Sequence, residues 1–113
     1  MTEDFGMLNL SLDEVSYVYK GITYRLSSHP YEPCLYLWKG DEIVCALHNA
    51  YNPEQLVDAF TAGKTVKTNY GKDYDKEYDE KSFCRILAAA LDSGQNNMDF
   101  FYAATKLAKK RSV

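Results

Sequence analysis

The segment VSYVYKGITYRL, Val15 to Leu26, decides the fold class. Val15, Tyr17 and Tyr19 recur at every second position, and Ile22, Tyr24 and Leu26 do the same after Lys20-Gly21. Period-two spacing puts each set on one face of a strand, and a short glycine-bearing connection between two such runs reads as a β-hairpin. A second hairpin follows, with Cys34 to Trp38 and Glu42 to Leu47 flanking Lys39-Gly40-Asp41. Leu35 and Leu37 would share one face of it, with Cys34, Tyr36 and Trp38 on the other. Between the hairpins, residues 27–33 carry Pro30 and Pro33, which cannot donate to a ladder and restrict the residue before them, so this stretch reads as a loop. Upstream, Leu8, Leu10 and Leu12 alternate with Asn9 and Ser11, as in a short edge strand or an ordered arm.

The second half changes period. Asn52 suits an N-cap, Pro53 the first helical position, and Gln55 the third position of a capping box. Leu56, Val57 and Phe60 then form one apolar face, and Gly63 is placed to end the helix. Val66 to Asn69 reads as a short strand. Phe83, Ile86, Leu87, Ala90 and Leu91 follow the helical i, i+3, i+4, i+7, i+8 pattern, and Gly94 closes it. Asn97 is a cap for a last helix whose stripe is Phe101, Ala104, Leu107 and Ala108. The expected fold is α+β in a single domain, residues 1–113. It has an antiparallel sheet of about four strands from the two hairpins, with three helices of the C-terminal half packed on one face.

Composition narrows the function. The 113 residues are 46% apolar and 26% charged, the balance of a globular chain. No apolar run approaches the ~18 residues of a membrane span, and the N-terminus lacks a basic, apolar, cleavable pattern, so no membrane association and a cytoplasmic location are expected. The three cysteines, Cys34, Cys45 and Cys84, are odd in number and widely spaced, which favours free buried thiols over a disulfide framework. Thirteen basic against sixteen acidic side chains give a net charge of −3, which disfavours a partner gripped through phosphates.

Several motifs resemble chemistry and fail on their details. Ala62-Gly63-Lys64-Thr65 has the end of a phosphate-binding loop, but Asp58 occupies the position of its first glycine and a helix enters where a strand should. Asp73, Asp75 and Glu77 open like a calcium loop, yet Tyr78 and Cys84 stand at the required glycine and glutamate. Cys45 and His48 are close in sequence, with His29 and Cys34 flanking a loop, but no close cysteine pair exists for a structural metal site. Along a strand, Cys45 and His48 would point to opposite faces. No catalytic residue, metal or cofactor is assigned.

Ten tyrosines are the compositional anomaly. Tyr70, Tyr74 and Tyr78 are spaced by four among Asp73, Asp75, Glu77 and Asp79. On a helix continuous with the next, about 100° per residue would set this stripe nearly opposite the apolar face, as an exposed aromatic ridge framed by carboxylates. The competing expectation is that the helix starts near Asp79, as N-cap, and the tyrosines pack back onto the sheet from an irregular loop. Tyr70, Tyr74 and Tyr78 with Asp73, Asp75, Glu77 and Asp79 are the expected binding site. The function expected is a non-catalytic adaptor or inhibitor whose partner is another protein with a basic surface. A homodimer through a sheet edge is equally compatible. One alternative is a nucleic-acid accessory domain that stacks bases on sheet tyrosines and uses the basic end at Lys106, Lys109, Lys110 and Arg111. Another is a small enzyme built on its cysteines and histidines.

Overall fold

The computed structural model describes residues 5–11, 13–67 and 77–104. Five strands form an antiparallel meander: β1 (Met7–Leu10), β2 (Val15–Tyr19), β3 (Ile22–Ser28), β4 (Cys34–Lys39) and β5 (Glu42–His48). The β2–β3 turn is tight because Lys20 and Gly21 both take positive φ, 52° and 78°, the pairing whose twist matches the flanking strands. Gly40, at φ 63°, does similar work between β4 and β5.

Helix α1 (Pro53–Thr61) starts on a complete capping box of Asn52 and Gln55, and Gly63 at φ 70° ends it. A two-strand ribbon of β6 (Val66–Lys67) and β7 (Glu77–Tyr78) leads into α2 (Glu80–Asp92). Strand β8 (Asn97–Asp99) and a helical segment at 100–104 follow. The fold is α+β, as the order of hairpins and helices predicts, but the sheet has six strands in the order β1-β2-β3-β4-β5-β8. Strand β8 lies parallel to β5, reached by a crossover through both helices. Asn97 is therefore a strand residue and not the cap of the last helix. Asp99 is the cap, its Oδ1 accepting from the amides of Phe101 (2.9 Å) and Tyr102 (3.2 Å).

The helices cover one face of the sheet. Tyr17, Leu35, Leu37, Cys45 and Leu47 meet Leu56, Phe60, Phe83, Leu87 and Phe100 in one core. Buried Phe83 and Phe100 are tilted against each other at 5.4 Å, with Tyr51 and Tyr78 edge-on to Phe100. The Tyr17 hydroxyl lies between the carbonyls of Phe5 and Cys84, tying the entry of β1 to α2. Tyr19 donates to Asp92 at 2.8 Å, which fastens the far end of α2 to the β2–β3 turn.

On the opposite face stand Val18, Arg25, Tyr36, Trp38 and Ile43. A bulge places Ile43 there: Leu37 pairs with Cys45 and Trp38 with Ile43, so Val44 is the extra residue on β5. Beyond the bulge the register has moved by one residue. Cys34 consequently faces His48, where an unbulged hairpin would set it opposite Leu47.

Candidate functional site

A cleft of about 370 Å³ opens between the β1–β2 connection, β3 and the first turns of α1. Buried Val15, Leu26 and Val57, with Pro53, give it an apolar floor. Asp13, Glu14, Glu54 and Asp58 stand exposed around it. The helix places two of these for simple reasons. Glu54 lies in the first turn, where a carboxylate complements the helix dipole, and Asp58 follows one turn later on the same face. Pro53 fixes the entry direction, and the capping box anchors it.

Among the described residues, the one cation lining the cleft is Arg25. It is 3.8 Å from Glu14, and its guanidinium stacks on Trp38 at 4.8 Å. Trp38 in turn donates from Nε1 to Ser27 at 2.7 Å, so the stack is anchored. Asp13, Glu54 and Asp58 have no ion-pair partner among the described residues. The cleft is within the size range of ligand sites, and it combines an apolar floor with an excess of negative charge. That combination matches a lysine or arginine side chain, whose alkyl stem prefers apolar surface while its head seeks carboxylates.

The site expected from the sequence divides differently. Tyr70, Asp73, Tyr74 and Asp75 lie outside the described residues. Tyr78 is no part of an exposed ridge: it is 8% exposed, opposite Val66 in the ribbon and edge-on to Phe100 at 5.2 Å. Asp79 caps α2, its Oδ1 accepting from the Ser82 amide at 2.7 Å. This bond, together with Arg85 and Lys81, holds its carboxyl below the ordinary value of 3.8. Glu77 is exposed, opposite Lys67. Asp79 as N-cap agrees with the competing expectation, but Tyr78 is buried from a strand of the ribbon rather than from an irregular loop.

Other tyrosines are also accounted for by the core. Tyr17, Tyr19 and Tyr24 are buried under the helices, which leaves Tyr36 as the sheet tyrosine on the opposite face. Burial pushes the Tyr51 hydroxyl up to about 12, with Tyr78 adding to the effect. Ala62 to Thr65 is the exit of α1, with Lys64 exposed, and not a phosphate loop.

All three cysteines are free and buried. Burial pushes Cys45 and Cys84 up to about 11. Cys45 is not the thiol that meets His48. Cys34 is, with Sγ 3.6 Å from Nδ1, while His48 Nε2 lies 3.3 Å from Asn97 Oδ1. The Cys34 thiol is raised chiefly by burial, with a hydrogen bond to Tyr36 opposing and Glu32 adding to the rise. No group of three or more metal-ligating side chains occurs among the described residues.

Comparison with protein-family models, curated proteins and solved structures finds no match to this chain.

Proposed function

We propose that this protein is a non-catalytic binding domain, an adaptor or inhibitor, whose partner inserts basic side chains into the cleft between the β1–β2 connection and α1. The observation that carries the reading is the cleft itself: an apolar floor of Val15, Leu26 and Val57 beneath Asp13, Glu14, Glu54 and Asp58. Arg25 balances one carboxylate, Glu14, and the other three offer a cation its counter-charge. An overall charge of −3 steers a basic partner toward the molecule, and the cleft gives it a place to settle. The tyrosine and acidic residues at 70–77 would add a second contact with the same kind of partner.

The test is a titration with a short arginine-rich peptide at low and moderate salt. Wild type should bind, more weakly as salt rises, and Glu54→Lys/Asp58→Lys should weaken binding at least about tenfold. The control is Asp41→Lys/Glu42→Lys, which makes the same charge change at the exposed β4–β5 turn, away from the cleft. Equal losses in the two double variants would reduce the effect to net charge and remove the cleft from the account. An absence of binding in wild type would do so outright.

A further inference from the structure

Cys34 and His48 are fourteen residues apart, and the bulge at Val44 is what sets them opposite each other. With Asn97 Oδ1 as acceptor, the tautomer that carries its proton on His48 Nε2 leaves the Nδ1 lone pair facing the Cys34 thiol. Strand β8 supplies Asn97, whose backbone register opposite Ala46 holds it beside the end of β5. The imidazole is exposed, so a proton taken from the sulfur has a way to solvent.

The sulfur sits at the rim of the sheet, next to the turn at 29–33. That turn closes through His29 N–H to the Cys34 carbonyl (3.1 Å) and Cys34 N–H to the Glu32 carbonyl (2.8 Å). Within it, His29 Nδ1 accepts from the amides of Tyr31 and Glu32, each at 3.1 Å. Cys34 is 2% exposed, so its reaction requires a local opening beside it, an event far smaller than global unfolding. Cys45 and Cys84 belong to the core between sheet and helices.

We propose that Cys34, His48 and Asn97 form a reactive-thiol site whose co-reactant is a small disulfide. The thiol attacks one sulfur of that disulfide while His48 Nδ1 takes its proton. A new S–S bond forms at Cys34 and the original S–S bond breaks. The departing thiolate leaves with the bonding electron pair and collects the proton from the imidazolium. Cys34 is oxidised, the released half of the reagent is reduced to a thiol, and no other reactant is required. His48 acts as the base, and Asn97 is a positioning residue that fixes its tautomer.

The experiment adds a chromogenic aryl disulfide to the full chain, follows thiolate release by absorbance and maps the modified cysteine by mass spectrometry. One thiol should react in a fast phase, Cys34, with Cys45 and Cys84 silent until denaturant is added. Cys34→Ser should remove that phase. His48→Gln should slow it at least about tenfold, and Asn97→Ala should slow it in the same direction, while the thiols of the denatured chains react as in wild type. The two substitutions lie at exposed positions, so either can carry the test if the other lowers stability. The proposal is overturned if Cys34 reacts no faster than the other two cysteines, or if a folded His48 or Asn97 variant keeps the wild-type rate.

Discussion

Gly6 carries the chain into β1 with φ 80°, and a Cβ there would meet the Val18 carbonyl oxygen at 2.5 Å and the Tyr17 ring at 2.7 Å. Both neighbours are fixed, one being backbone and the other a fully buried ring, so neither can yield cheaply. Gly63, at φ 70°, has open space around its Cβ position, and alanine there meets only the backbone preference. Gly6→Ala should therefore destabilise by more than about 2 kcal/mol, and Gly63→Ala by roughly 1 kcal/mol, in urea unfolding. Asp79 makes a prediction in pH. Its folded-state pKa is lowered by the Ser82 hydrogen bonds, so its contribution is fully present above the unfolded value and is lost as pH falls below about 4 through the folded one. Asp79→Ala should cost about 1 kcal/mol at neutral pH and progressively less in acid, because wild type loses there what the variant already lacks. Asp79→Asn keeps a capping oxygen and should flatten that pH dependence. An unchanged acid limb in both variants would remove the carboxylate from the helix start.

Elements show why some parts of this fold can be read from the sequence and others cannot. The two hairpins are local: alternation and turn chemistry lie within a dozen residues, and Lys20-Gly21 and Gly40 take the backbone geometry their positions demand. Helices α1 and α2 announce themselves the same way, through Asn52, Pro53, Gln55 and Gly63 in one and the Phe83–Ile86–Leu87–Ala90 stripe in the other. Strand β8 does not. It has three residues, too few for a period, and its partner β5 lies about fifty positions earlier in the chain. Asn97 reads as a helix cap by residue type, but the chain spends it on the sheet and caps the helical segment with Asp99 two residues later. Asp99 also accepts from Asn49 Nδ2 at 2.5 Å, which joins the strand end to the residue after β5. Asp99→Ala should accordingly cost about 1–2 kcal/mol, and Asn97→Ala no more than about 0.5 kcal/mol, in the same urea titration. The reverse ranking would restore Asn97 as the cap. The bulge at Val44 is equally silent in sequence, yet it decides which cysteine meets His48.

At the scale of the whole molecule, the six-stranded sheet gives one face to the helices and collects distant residues at its rims. The cleft is such a collection. Its lining comes from three places in the chain, around Asp13 to Val15, at Arg25 and Leu26, and on the first turns of α1, which no local window joins, and for that reason it was not legible in the sequence. The sequence carries only the net charge of −3, and the basic partner proposed for the cleft is consistent with that sign. The tyrosine spacing at 70–78 was misleading in one respect, since aromatic residues at period four fit a core as well as a ridge, and Tyr78 went to the core. The most direct test of the binding assignment is to follow backbone amide NMR shifts while the arginine-rich peptide is titrated into the full chain. The cleft predicts shifts concentrated at Asp13, Glu14, Glu54 and Asp58 and their immediate neighbours, abolished by Glu54→Lys/Asp58→Lys. Shifts spread over the acidic surface, or concentrated elsewhere and indifferent to that double variant, would contradict it.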